Sequence, residues 1–204
     1  MVKMEFIAHR KQECGGIAEH LLEEHLKAVA ALATGFAPSG FWEWAYLAGL
    51  WHDLGKYRPG FQRYIRQDAD ASAHDTVASH DKTHSAAGAR LAIDRFGVAG
   101  HALAYLIAGH HAGLSDWRDL DYRLQSDAAR CELNESLESI PGDIQQASLV
   151  SDLCRVPGGS KGFALWLRLL FSCLVDADFL DTERFMEAGK ADSRSRPPAM
   201  AGED

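Results

Sequence analysis

Apolar residues in this chain recur at steps of three and four, a spacing that commits most of its length to helices packed on one another. Leu22, Leu26, Val29, Ala33 and Phe36 form one such stripe, the face of a helix that another element must cover. Pro38-Ser39-Gly40 ends that segment. A second helix is expected from about Phe41 to Leu54, with Trp44, Leu47, Trp51 and Leu54 inward. Pro59 opens a short third, since proline is tolerated in a first helical turn. Ser85 to Phe96 reads as a helix closed near Gly97. Leu103, Leu106, Ile107 and His110 share a stripe of another, which Gly113 can stop. Tyr122 to Val150 is more polar and helical with loose bounds, and Phe163 to Leu180 is a strongly apolar, central helix. No run alternates long enough to predict a strand, and no internal repeat is visible. The expected fold class is all-α, a single globular helical bundle.

The chain's 204 residues suit one domain. Residues 1–189 are assigned to it, and the Ser-, Pro- and charge-rich stretch 190–204 is expected to be a disordered tail or the start of a linker. A net charge of -8 argues against a protein that coats nucleic acid through bulk electrostatics. It leaves room for a local basic strip. Cys14, Cys131, Cys154 and Cys173 form no CxxC pair, which predicts reduced thiols and a cytoplasmic protein. No apolar signal-like region opens the sequence. The richest apolar run, Phe163 to Val175, is interrupted by Arg168 and too short to span a bilayer.

Ten histidines are many for this length. Those on apolar stripes matter most, because a metal site in a helical domain is built from inward side chains. His25 follows Leu21 and Leu22 by four and three and faces inward, whereas His20 shares a face with Glu23, Glu24 and Lys27 and is expected to meet solvent. His52-Asp53 ends one helix and His110-His111 another; His84 begins a third after a polar loop in which His74 and His80 look exposed. Two neighbouring metal ions need several neutral imidazoles and a carboxylate that can bridge. His25, His52, Asp53, His84, His110 and His111 supply that set. A further carboxylate is expected from the central helix, and periodicity leaves Asp176 and Asp178 equal. Histidine-rich ligation favours manganese, iron, cobalt or nickel over magnesium, which remains usable.

The segments EEHLKAVAALA, WHDLGKYRPGFQRYI, KTHSAAGARLA, AGHHAGL and SCLVDADFLDTE together resemble the HD superfamily of metal-dependent phosphohydrolases. More closely they resemble the HD nuclease domain of the CRISPR-associated nuclease-helicase of type I systems, over about Ala8 to Glu183. The resemblance implies an α-helical, metal-dependent deoxyribonuclease, endo- or exonucleolytic, acting in CRISPR interference. It implies two divalent ions, one held by His25, His52, Asp53 and Asp178, the other by Asp53, His84, His110 and His111. Asp178 is chosen by the family's alanine-aspartate pair, here Ala177-Asp178. The implied partners are single-stranded DNA, a superfamily 2 helicase domain, fused or separate, and an RNA-guided surveillance complex. The chain departs from the pattern at Ala8-His9-Arg10, where relatives often have serine after histidine.

Basic residues concentrate just beyond the His-Asp pair. Lys56, three residues past Asp53, is expected to reach a phosphate at the metals and so joins Asp53 as a catalytic candidate. Arg58, Arg63 and Arg66 would extend positive charge along a strand's path, with Tyr57, Phe61 and Tyr64 interleaved to stack bases. Rival readings are an HD phosphohydrolase acting on a nucleotide, and a non-catalytic HD-like binding module.

Overall fold

The computed structural model describes residues 5–67, 83–150, 153 and 156–193. His74, His80 and Cys154 lie outside them. The chain opens with an antiparallel hairpin, β1 (Ile7–Glu13) and β2 (Gly16–Leu21), in which His9 stands opposite His20. It continues through α1 (Leu22–Phe36), α2 (Trp42–Trp51), a 3-10 turn (Leu54–Tyr57) and α3 (Pro59–Arg66). After residue 83 come α4 (Ala86–Phe96), α5 (Val98–Gly109), α6 (Trp117–Gln125), α7 (Asp127–Leu137) and α8 (Gly142–Gln145). The long α9 (Gly159–Met186) and the short α10 (Ala188–Ser193) close it. The fold is a helical bundle with one small two-stranded sheet.

The apolar stripes are largely where the spacing puts them. Leu22, Leu26, Val29 and Ala33 are buried, although Phe36 at the end of the stripe is exposed. Trp44, Leu47, Trp51 and Leu54 are all buried, as are Leu103, Leu106 and Ile107. Helix α1 packs on α2 and α9, and α4 packs on α5 and α7. The buried face of α9 carries Leu167, Leu170, Leu174 and Ala177, while Leu165 and Leu169 face outward. Gly97, with φ +55°, separates α4 from α5, and Gly113, with φ +85°, follows α5. Among the described residues no helix is long and apolar enough to cross a membrane.

Two expectations fail. The hairpin was not legible because its strands, IAHRKQE and GIAEHL, are mostly polar. Tertiary hydrogen bonds hold it: Ile7 N–H donates to Gln62 Oε1 at 3.0 Å, and Gln62 Nε2 returns a bond to Ile7 O at 2.9 Å. Residues 190–193, placed by the sequence in an irregular stretch, belong instead to α10, and Lys190 Nζ stands 3.3 Å from Glu183.

One close approach sets the relation of α2 to α4. A Cβ on Gly88 would stand 1.8 Å from Trp51 O, so the carbonyl beside His52 rests on a bare backbone. Gly88→Ala should therefore lower unfolding free energy by about 1–3 kcal/mol or more in urea titrations followed by circular dichroism, the cost of overpacking. Gly15→Ala, where a Cβ meets nothing within 4 Å, should stay within about 0.5 kcal/mol of the parent.

Candidate metal centre

The last carbonyls of a helix have no intrahelical partner, and the chain uses two such ends to aim histidines. His52 follows α2 and turns its Nδ1 to Gly49 O at 2.7 Å; His110 follows α5 and turns its Nδ1 to Ile107 O at 2.6 Å. A ring nitrogen facing a carbonyl must carry the hydrogen, which leaves Nε2 of each ring as a bare lone pair pointing inward. His25, in the first half of α1, is turned by a side chain instead: its Nδ1 lies 2.8 Å from Asp181 Oδ2.

These three Nε2 atoms converge on Asp53, which is fully enclosed. Asp53 Oδ2 lies 3.5 Å from His25 Nε2 and 3.4 Å from His52 Nε2. Its Oδ1 lies 3.3 Å from His110 Nε2 and 3.5 Å from His84 Nε2. Asp178 faces the first pair, with Oδ1 3.4 Å from His25 Nε2 and 3.5 Å from His52 Nε2. His111 completes the other side, its Nε2 2.8 Å from that of His84. One carboxylate thus stands between two groups of potential ligands. Asp176 points away, exposed, and accepts from Ser172 Oγ at 3.3 Å.

The donor set fits divalent cations. His25 Nε2, His52 Nε2, His110 Nε2 and Asp53 Oδ1 are buried without a hydrogen-bond partner, a costly state for four polar atoms around one point. Ligand atoms of Asp53, His84, His110 and His111 lie within 4.8 Å of one another, as do those of His25, His52 and Asp53. Charge tells the same story. Burial disfavours the protonated ring of His25, but Asp178, Asp181 and Asp53 outweigh it and hold its pKa near 9. Burial likewise opposes His52, yet Asp53 and Asp178 raise it to about 10. Burial would lift the Asp53 carboxyl, but His52, Lys56, His84 and His110 hold it well below the usual carboxylate range. The enclosed carboxylates demand positive charge at their centre, and the lone pairs that take protons there are the ones that would take metal.

The turn after Asp53 positions the rest. Gly55 N–H donates to His84 O at 3.2 Å, and a Cβ on Gly55 would stand 2.4 Å from that oxygen. Glu132 of α7 accepts from Ala86 N and Ala87 N at 2.8 and 2.9 Å and from Thr83 Oγ1 at 3.0 Å. It thereby satisfies the opening N–H groups of α4 and fixes the segment bearing His84. Nothing in the sequence marked Glu132 or Asp181, because their partners are distant along the chain.

The basic residues of the strip lie in different settings. Lys56 is buried, its Nζ 2.6 Å from Asp53 Oδ2 and donating to Ala8 O at 3.2 Å. Its ammonium thus pairs with Asp53 within the protein interior. Arg58 is buried too, donating to Thr83 O at 2.5 Å and Gly55 O at 3.3 Å. Arg66 donates to Glu5 O and Gln62 Oε1, both at 2.6 Å, and meets the hairpin through Glu19 at 3.9 Å and through Arg10, which donates to Arg66 O at 2.5 Å. Arg63 is exposed and has no ion pair or hydrogen bond among the described residues. Tyr57 and Phe61 are core residues, Phe61 meeting the His84 ring edge-on at 5.1 Å.

His20 also differs from expectation. It belongs to β2, and its ring stacks on Phe185 at 4.9 Å with Nε2 3.7 Å from Asp181 Oδ2. His9 lies beside it, Nε2 3.2 Å from Thr182 Oγ1, and burial lowers its pKa to about 3.

A family model described as "Cas3, HD domain" matches residues 8–158. The match takes in His25, His52, Asp53, His84, His110 and His111 and ends before Asp178. No curated protein matches the chain.

Asp176 and Asp178 of α9 should separate in solution. Asp178→Asn should weaken manganese binding at least about tenfold, the lower end of what disturbing a ligand's own partner costs, while Asp176→Asn leaves it unchanged. Metal retained per chain after dialysis, read by plasma mass spectrometry, checks the order.

Proposed function

The chain belongs to the Cas3 HD-domain family, a CRISPR-associated group of metal-dependent nucleases, and from that premise we propose that it hydrolyses single-stranded DNA with two divalent ions. The observation that carries the reading is the convergence of buried, unpartnered ligand atoms on the two oxygens of Asp53. In this reading His25, His52, Asp53 and Asp178 hold one ion; Asp53, His84, His110 and His111 hold the other. Such ions, when bound, neutralise phosphate oxygens and activate water near neutral pH. Imidazole-rich donors suit manganese, iron, cobalt or nickel better than magnesium.

The protein's own part is orientation and charge. Asp53 would be common to both sites, with Lys56 2.6 Å from its Oδ2. The Nδ1–H bonds of His25, His52 and His110 keep their lone pairs on the centre. Asp178, His84 and His111 are the ligands nearest solvent, with Asp178 and His84 side chains 17% and 16% exposed. A phosphodiester can therefore approach from their side. A net charge of -8 offers no broad basic surface for a duplex, which supports a single strand as substrate. Arg63 is the member of the expected strip left to meet it. The nuclease unit covers residues 1–189 and the rest of α10. Feeding of the strand by a superfamily 2 helicase, fused or separate, and targeting by an RNA-guided complex belong to the same proposal.

Asp53→Ala should abolish hydrolysis with the circular dichroism spectrum intact. Arg63→Glu should weaken cleavage of single-stranded DNA severalfold and flatten its salt dependence, yet leave bis-p-nitrophenyl phosphate hydrolysis nearly unchanged. Metal-loaded protein assayed side by side on single-stranded DNA, relaxed duplex, RNA and nucleoside triphosphates tests the substrate. Preference for a triphosphate or for relaxed duplex would refute it.

A further inference from the structure

We propose that Asp181 is a positioning residue for His25, setting the ring's tautomer and tilt so that Nε2 is presented to the ion shared with His52, Asp53 and Asp178. The inference rests on the ligand role proposed above for His25. His52 and His110 each give Nδ1–H to a carbonyl three residues earlier on their own helices. His25 sits inside α1, where the carbonyls are already taken, so it needs a partner from elsewhere. Asp181, 156 residues away, provides it at 2.8 Å.

Asp181 is itself 4% exposed, and a carboxylate so enclosed is retained at a cost unless it serves its neighbours. Its neighbours are few. Oδ2 faces His25 Nδ1 and, more distantly, His20 Nε2 at 3.7 Å; Oδ1 lies 3.8 Å from Arg184, whose side chain is largely exposed. His20 and Phe185 cover it as a stacked pair. The helical step from Asp178 to Asp181 puts both carboxylates on one face of α9, one meeting His25 at Nε2 and the other at Nδ1. Helix α9 therefore grips both nitrogens of one imidazole. A carboxylate behind a ligating ring also makes that ring a stronger donor, so Asp181 should act on the ion that His25 holds and on no other.

Manganese titration calorimetry on the full chain tests this, with His25→Ala identifying the binding step that depends on His25. Asp181→Ala should weaken that same step about 10–100-fold and leave the other unchanged. Asp181→Asn, which keeps an acceptor oxygen without the charge, should fall between. In metal-free protein, proton-nitrogen correlation spectra of the imidazoles should show a hydrogen-bonded, downfield Nδ1–H of His25, shifted upfield by Asp181→Asn and lost in Asp181→Ala. Manganese binding by Asp181→Ala equal to the parent overturns the inference while leaving His25 a ligand. Binding that survives His25→Ala overturns the ligand assignment and this inference with it. If Asp181→Ala does not fold, Asp181→Asn decides: unchanged affinity and an unchanged Nδ1–H signal would overturn the proposal.

Discussion

Everything in this fold is arranged around one buried carboxylate. Removing Asp53 from water without compensation would cost several kcal/mol, and the surrounding chain is organised to supply that compensation. Lys56 does so directly, at 2.6 Å. Four imidazoles do so conditionally, through nitrogens that bind either a proton or a metal. The bundle is thus built on an electrostatic demand that its side chains meet only in part. A metal-binding centre needs that incompleteness, because a carboxylate fully satisfied by hydrogen bonds would have nothing left to offer an ion.

Helix ends turn this demand into geometry. Histidines at the ends of α2 and α5 satisfy carbonyls that the helices leave open, and in doing so lock their own orientation. His84 precedes its helix, so no open carbonyl at a helix C-terminus aims it. It is held instead by Gly55, by Arg58 and, through the start of α4, by Glu132. Two of the three belong to the turn that follows Asp53, so the buried carboxylate and the grip that brings His84 to it are neighbours in sequence.

Local rules made the helices legible, together with the histidines that share their stripes. Nearest-neighbour spacing fixed the inward face of α2 and hence His52; the same spacing identified His25. What stayed illegible depends on residues far apart. A lysine and three arginines after a His-Asp pair read as a strip along a strand's path, because sequence cannot show that Lys56 has a carboxylate, and Arg58 a carbonyl, waiting inside. The hairpin lacks alternation because its hydrogen bonds to Gln62 do work that apolar pairing does elsewhere. Asp176 and Asp178 sit on equally apolar stripes of α9. The structure parts them by showing that the Leu165–Leu169 stripe faces out while the Leu167–Leu174 stripe faces in.

The hairpin also shows why so polar an element belongs in the fold. Asp53 and Asp178 lie far apart in sequence and are brought together by the packing of α9 on α1 and α2. The hairpin bridges them. On one side Gln62 ties β1 to α3, and its Nε2 also donates to Lys56 O at 2.7 Å. On the other, Lys11 Nζ donates to Phe185 O at 2.5 Å, and His9 meets Thr182, whose hydroxyl reaches toward Asp178. Its contacts are to backbone carbonyls and polar side chains, which prefer particular distances and angles. Apolar packing tolerates sliding better than such bonds do. A polar staple suits an element that must meet α3 on one side and α9 on the other, and the residues that look least like core in β1 are the ones that make those contacts.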